Sequence, residues 1–209
     1  MDVVSSALDF ILPFEKYKIT AGAKVSFTNT RNGINYDTSD PTLVQDDYFR
    51  YKEQIYALYA DYSREYSERF SMQLGLRMEH TCTTGISEAK DTEDKHDYTR
   101  LFPTVYLLYS PTDGHALNFS FSNRISRPSQ NMVNPFPFYQ NKYTYACGRE
   151  DLKPSYTYNA ELGYTLKNNF NVSAYYSYSD DVFFQVVDLD AETNVTSFLC
   201  LLYTSDAAD

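Results

Sequence analysis

The clearest pattern in the chain is the alternation of apolar and polar residues between Ser155 and Ser179. Every second residue of the first run, Tyr156 to Leu166, is apolar or aromatic, and the residues between them are small or polar. The triplet 167–169 separates this run from a second one with the same alternation. Because successive side chains of a strand point to opposite faces, the two runs predict a β-hairpin with one apolar and one polar face.

The length and chemistry of these two arms favour a transmembrane β-barrel over a soluble sheet. A tilted strand needs roughly 9–11 residues to cross a bilayer, whereas an ordinary strand averages about 5–6. Tyrosines lie toward the ends of the apolar face, where an amphipathic ring suits a membrane interface. The opposite face is small and polar along its length, as a hydrated lumen requires.

The same alternation recurs along most of the chain and predicts eight arms. They are residues 3–12, 18–30, 50–63, 69–81, 100–110, 116–126, 155–166 and 170–179. Residues 180–188 are expected to continue the last strand, and residues 194–202 to begin another.

Connections of two kinds join the predicted arms. Short turns at 13–16, 64–68, 111–115 and 167–169 alternate with long loops at 31–49, 82–98 and 127–154. Outer-membrane barrels have short periplasmic turns and longer outer loops. The predicted fold class is therefore all-β, an antiparallel meander of about eight long strands that forms a partial transmembrane β-barrel over residues 1–200.

The polar face indicates which kind of barrel this is. Eight strands can close a small barrel, but side chains then have to fill its interior. Here Ser, Thr, Asn and Gly dominate the predicted inner face, with few charge partners to build a dense core. This composition suits one wall of a wide barrel better, and wide transporters have about 22 strands.

Composition narrows the function classes. The net charge of −10 argues against binding nucleic acid. The cysteines at 82, 147 and 200 lack CxxC spacing, and unpaired thiols are favoured over a Cys82–Cys147 disulfide. His80, His96 and His115 are far apart in the sequence, so no metal site is predicted. No catalytic constellation or cofactor motif occurs, and an enzyme is not expected.

A series of short segments carries a resemblance to a known family. The segments are RISRPS at 124–129, NPF at 134–136, YTY at 143–145, GREDLKP at 148–154 and ELGY at 161–164. In this order they resemble the β-barrel of TonB-dependent outer-membrane receptors, in the form common in Bacteroidetes. The chain departs from the usual pattern at Arg149-Glu150, where the family has Asn-Pro.

The resemblance implies more than a fold. It implies a barrel of about 22 strands, an N-terminal plug domain and energised uptake of a bound substrate in the outer membrane of a Gram-negative bacterium. The expected partners are outer-membrane lipid, a TonB-type energising complex that acts through the plug, and a surface lipoprotein. The N-terminus does not have the pattern of a signal peptide, and no plug is recognised. The chain is therefore expected to be a fragment that does not function alone.

The aromatic loop 127–154 is the best candidate for substrate binding. Its aromatic residues are Phe136, Phe138, Tyr139, Tyr143 and Tyr145. Their rings would stack on a sugar or a planar chelate, and the alternative is that they pack the loop onto the barrel rim. Two other functions stay open: a complete eight-stranded barrel that acts as an anchor or adhesin, and a soluble all-β carbohydrate-binding module. Residues 201–209 do not continue the alternation and are interpreted as a non-native tail.

Overall fold

The structure is a computed structural model built almost entirely of β-strands. It describes residues 1–34, 47–87, 91–141, 143–149, 151–167, 169–190 and 194–203. The strands are β1 Asp2–Pro13, β2 Tyr17–Ile34, β3 Asp47–Ser67, β4 Phe70–Ser87, β5 Thr92–Tyr109, β6 His115–Ser126, β7 Phe138–Asn141, β8 Thr144–Cys147, β9 Ser155–Leu166, β10 Phe170–Asp180, β11 Val182–Asp190 and β12 Val195–Tyr203. A single turn of helix, α1, spans Gln130–Val133. No helix in the described ranges is long and apolar enough to cross a membrane.

Eight of the strands form one antiparallel sheet. Their order is β1-β2-β3-β4-β5-β6-β9-β10, and each strand is antiparallel to its neighbours. The eight predicted arms correspond one by one to these strands, so the predicted meander is confirmed. The aromatic loop 127–154 leaves the sheet after β6, and the chain returns beside β6 as β9.

The large apolar side chains of this sheet lie on its outer, exposed face. Leu76 and Val172 are each 51% exposed, and both lie on the same face as Phe121. On the opposite face of β4, Glu79 and Thr81 are buried. A soluble sandwich would bury these apolar side chains between two packed sheets. The observed arrangement is instead that of a barrel, with apolar residues outward and polar residues inward.

The outward apolar residues define a membrane-spanning band. In the three central strands the band covers residues 58–66 of β3, 70–78 of β4 and 101–109 of β5, which lie side by side in register. Each segment is about as long as a tilted strand that crosses a bilayer. Beyond the band the outward positions become polar, beginning with His80 and Thr99. The part of the sheet above this level faces water on both sides.

The predicted loop at 82–98 is wrong. Strands β4 and β5 pair without interruption from Phe70 opposite Tyr109 to Ser87 opposite Thr92, and only residues 88–91 separate them. The acidic residues in this stretch were interpreted as a loop signal. Charge excludes a strand from contact with lipid but not from pairing in water, where opposite charges also attract. The Nζ atom of Lys95 lies 3.0 Å from a carboxylate oxygen of Glu93 in this extension.

The predicted continuation of the last strand through residues 180–188 is also wrong. Asp181 has a φ of 53°, which ends β10, and β11 then joins a second sheet with the order β11-β12-β8-β7. The predicted strand near residues 194–202 is confirmed as β12, which pairs in parallel with β8. Strand β12 runs to Tyr203, and residues 204–209 lie outside the described part of the chain. That the tail is non-native stays a prediction.

Candidate binding site

A cavity of about 480 Å³ lies above the membrane band on the polar face of the main sheet. Strands β3, β4 and β5 form one wall, and the aromatic loop 127–154 forms the other. Small-molecule sites typically have volumes of roughly 300–1,000 Å³ and combine apolar walls with a few polar groups. The residues that line this cavity include Tyr51, Glu53, Tyr98, Arg100, Arg127 and Tyr156.

Backbone hydrogen bonds hold the covering loop in shape. The amide of Arg149 donates to the carbonyl oxygen of Met132 at 2.7 Å, and the amide of Gly148 donates to that of Asn134 at 2.8 Å. A side chain at Gly148 would meet the Met132 carbonyl at 2.3 Å, so this close approach requires glycine. The two ends of the loop are thereby joined next to the sheet.

A small apolar cluster attaches this loop to the sheet. Val133 and Leu152 of the loop are buried against Phe49 of β3, and Tyr51 packs beside them. Burying an aliphatic side chain contributes about 1.5–3 kcal/mol, so these contacts help to hold the loop against the sheet. The cavity is therefore a built part of the fold.

Arg127 connects the loop to the cavity wall by ionic hydrogen bonds. Its Nη2 donates to Glu79 Oε2 at 2.7 Å and to Thr81 Oγ1 at 3.0 Å. Its Nε lies 4.0 Å from Glu53 Oε1. The side chains of Arg127 and Glu79 are only 20% and 11% exposed. One guanidinium thus binds carboxylates of two adjacent strands in a mostly buried place.

Burial changes the protonation of the groups around Arg127. Burial raises the pKa of the Glu53 carboxyl, and the charge of Arg127 only partly opposes this rise. Burial likewise raises the pKa of the Tyr98 hydroxyl, against the charge of and hydrogen bond with Arg127. For Arg127 itself burial lowers the pKa, but the hydrogen bond to Glu79 and the nearby Tyr98 outweigh it, and the pKa is raised. The site therefore keeps a permanent cation beside a carboxyl that holds its proton unusually well.

This protonation gives the stability of the protein a predicted pH dependence. Because the folded-state pKa of Glu53 is raised, its contribution to stability is fully present below about pH 4.3, its value in an unfolded chain. That contribution is lost as the pH rises through the folded-state value. The glutamine of Glu53→Gln cannot ionise, so the stability of this variant should fall less than that of the wild type from pH 4 to pH 7.

Chemical unfolding in detergent at a series of pH values measures this difference. Glu93→Gln, at an exposed position of β5, is the matched control. An identical pH slope in Glu53→Gln and the wild type would contradict the assignment.

The five predicted aromatic residues do not line this cavity. Phe136 is 6% exposed and presents almost no ring surface, as the packing alternative expected. Tyr139 and Tyr145 face each other across β7 and β8 with ring centroids 5.4 Å apart. Phe138 is 55% and Tyr143 51% exposed. Phe136 is thus packed inside the protein, whereas the other four rings belong to the surface hairpin of β7 and β8. Binding of a substrate by that hairpin stays a prediction.

The cavity residues are not among the predicted site residues, although the sequence carries a signal for them. Glu53 and Glu79 occupy inward positions of arms whose other inward residues are mostly small or uncharged. Arg127 follows β6 directly and precedes a proline, where a strand ends. Inward carboxylates on two adjacent arms, together with a basic residue at the start of a loop, indicate an ion pair between them.

One group of possible metal ligands occurs in the described ranges. His80, Cys82 and Asp97 place one ligand atom each within 4.8 Å of one another. By strand register their side chains are on the outward face, just above the membrane band, and Asp97 also borders the cavity. The spacing of the three histidines does not predict this group, because its other two members are a cysteine and an aspartate.

Comparison with known proteins agrees with this architecture. A family model described as the outer membrane protein beta-barrel family matches residues 1–199. The chain belongs to this family. Its place is therefore the outer membrane of a Gram-negative bacterium, as the sequence predicts. No curated protein sequence matches the chain significantly.

Three solved structures share the fold of this outer-membrane barrel. The copper transporter OprC aligns with a TM-score of 0.70 and 11% identity, over 96% of this chain and 33% of its own. The ferric-catecholate import receptor Fiu from E. coli K12 aligns with a TM-score of 0.56 and 11% identity, over 94% of this chain and 33% of its own. The siderophore receptor PirA from Acinetobacter baumannii aligns with a TM-score of 0.57 and 12% identity, over 97% of this chain and 32% of its own. The fold is thus that of TonB-dependent receptor barrels, and the chain spans about a third of the length of these proteins.

Proposed function

We propose that this chain is an arc of the wall of a TonB-dependent uptake channel, in a receptor of the type common in Bacteroidetes. The observation that carries the proposal is the pair of open edges of the main sheet. Within the described ranges, the outer edges of β1 and β10 have no strand partner. Unpaired backbone groups at a sheet edge cannot remain in hydrocarbon, so each edge needs a strand partner, and in our proposal further strands supply it. Further strands at both edges make a barrel wider than eight strands.

The cavity and the neighbouring loops support a role in uptake. Arg127, Arg100 and several tyrosines surround a space of about 480 Å³ on the lumen side. The lining also contains Glu53, Asp94, Asp97 and Asp181, which balance its Lys and Arg residues, so the aromatic rings favour a planar substrate, such as a metal chelate. The exposed rings of Phe138 and Tyr143 would make first contact with it at the surface. We assign energising to a TonB-type complex that acts through a plug domain, whereas a surface lipoprotein partner has no support beyond the sequence resemblance.

A complete eight-stranded barrel is the second candidate, because the main sheet has eight strands. In that barrel β1 would pair with β10. Cysteine cross-linking in the full-length protein, with Cys82 and Cys147 replaced by serine, distinguishes the wide barrel from the eight-stranded barrel. Ser6→Cys with Val25→Cys should form a disulfide, since these residues are paired across β1 and β2. Ser6→Cys combined with single cysteines along 172–178 of β10 should form none. A cross-link between β1 and β10 would establish the small barrel instead.

The energising partner is tested separately in intact cells. After formaldehyde treatment, the full-length protein should be recovered in a cross-linked complex with a TonB-type protein. Removing the energising complex should abolish uptake of a ferric catecholate chelate, which serves as the probe. Absence of the cross-link in energised cells would contradict the receptor assignment while leaving the barrel assignment intact.

A further inference from the structure

We propose that His80, Cys82 and Asp97 form a binding site for a borderline-soft divalent cation of the Zn²⁺ class. The site lies on the outward face of β4 and β5, directly above the membrane band. Its side chains are on the face opposite the lumen-side cavity by strand register, although Asp97 also borders that cavity. Its existence does not depend on the proposed uptake function.

The strand register brings these three ligands together. His80 and Cys82 are two residues apart on β4, so their side chains share one face. Cys82 is directly opposite Asp97 on β5, and His80 is opposite Thr99. The three side chains are thus held on adjacent rungs of a continuous ladder, and the backbone has little freedom to separate them.

The distances fit a tetrahedral metal site. His80 Nε2 lies 3.3 Å from Cys82 Sγ and 3.4 Å from Asp97 Oδ1. With Zn–N and Zn–O lengths of about 2.0–2.1 Å and a Zn–S length of about 2.3 Å, tetrahedral ligand atoms are roughly 3.3–3.6 Å apart. The two measured separations fall in this range. The atoms of all three residues lie within 4.8 Å of one another, so a small rotamer change brings the third separation into range.

A second hydrogen bond orients the imidazole for this role. Thr99 Oγ1 lies 2.9 Å from His80 Nδ1. With the Nδ1 proton donated to that hydroxyl, the Nε2 lone pair points toward Cys82 and Asp97. Metal-binding histidines characteristically have such a partner on the other ring nitrogen, which fixes the tautomer and the ring orientation. The His80 and Asp97 side chains are 41% and 68% exposed, so a cation reaches them from water.

The ligand chemistry selects the cation. One thiolate, one imidazole and one carboxylate favour Zn²⁺ or Cu²⁺ over Mg²⁺ or Ca²⁺, which prefer several oxygen ligands. Binding converts the Cys82 thiol to a thiolate, and the proton passes to the solvent. Three protein ligands leave a fourth tetrahedral position for water or for a ligand from another molecule.

The test uses the full-length protein in detergent micelles with Zn²⁺ and Co²⁺ as probes. We expect one equivalent of Co²⁺ to produce a sulfur-to-metal charge-transfer band, which Zn²⁺ then displaces. Cys82→Ser should remove the band, and His80→Ala or Asp97→Asn should weaken binding by more than about 100-fold. Thr99→Val leaves all ligands in place and should weaken binding roughly 10-fold.

The same hairpin offers a matched control. His96 Nε2 lies 3.8 Å from Asp94 Oδ2 on β5, but no cysteine accompanies this pair. His96→Ala should therefore leave the band and the affinity unchanged. If the wild type shows no charge-transfer band, or if Cys82→Ser and His96→Ala bind Zn²⁺ equally, the three residues are only a hydrogen-bonded group. Circular dichroism and heat modifiability of each variant distinguish loss of ligand from loss of fold.

Discussion

Replacing Leu74 with arginine is expected to destabilise the barrel by about 2–4 kcal/mol. Leu74 lies at the middle of the membrane band of β4, on the outward face, between Tyr62 of β3 and Val105 of β5. A guanidinium there has to leave water for hydrocarbon, and the penalty is largest near the bilayer midplane. Chemical unfolding of the full-length protein in lipid bilayers measures the change in free energy.

The neighbouring position provides the control for this substitution. Gln73 is one residue away on the same strand and points to the polar face. Gln73→Arg adds the same side chain at nearly the same depth, and its effect should be within about 0.5 kcal/mol of zero. Equal destabilisation by the two substitutions would show that the apolar face does not contact lipid, and it would contradict the barrel interpretation.

Replacing Arg127 with alanine is expected to destabilise the folded protein by about 3–5 kcal/mol. The substitution removes the 2.7 Å contact between Arg127 Nη2 and buried Glu79, which then relies on Arg77 Nε at 3.2 Å. It also takes away the cation that lies 4.0 Å from the mostly buried carboxyl of Glu53. It also removes the ionic connection between the loop and the cavity wall. We therefore expect proteases to cut within 127–154 in the variant while the membrane band stays intact. The measurements are the unfolding free energy and the sites of limited proteolysis.

Two further variants test whether the loss of stability comes from the burial of the ion pair. Arg149 pairs with Asp151 through a 2.8 Å hydrogen bond, but both side chains are largely exposed. Exposed ion pairs contribute roughly 0–1 kcal/mol, so Arg149→Ala should change little. The double variant Arg127→Leu with Glu79→Leu removes both members of the closest buried pair and leaves Glu53 as the carboxyl that has lost its cation, so part of the stability should return. If the double variant is no more stable than Arg127→Ala, the loss comes from packing and not from the unpaired carboxylate.

The alternation of residue types was enough to predict the sheet. A strand in a barrel wall has one side in hydrocarbon and the other in water, so each residue type reports directly on its face. This is why the arms around Leu76, Phe121 and Val172 were assigned to the correct face. The prediction needed only local sequence, since each arm pairs with a neighbour in the meander.

The prediction of strands from residue alternation was wrong where the sheet no longer has lipid on one side and water on the other. Above the membrane band both faces of β4 and β5 meet water, so acidic residues could not distinguish a paired strand from a loop. The residues of the two candidate sites were also not predicted, for a different reason. The pairing of Arg127 with Glu79 depends on contacts across 48 residues of chain. The group of His80, Cys82 and Asp97 depends on the register of a hairpin that was interpreted as a loop.

The parallel pairing of β8 with β12 has a consequence for the order of folding. Thr144 pairs with Thr196, so this small sheet joins segments that are far apart in the chain. Closing so long a loop has a high entropic cost, and contacts of this kind usually form late. Removing β12 should therefore leave the membrane-embedded hairpins able to assemble, while the surface region around β7 and β8 stays open to proteases. Maturation of this protein would then end at the cell surface, after its passage through the lipid is complete.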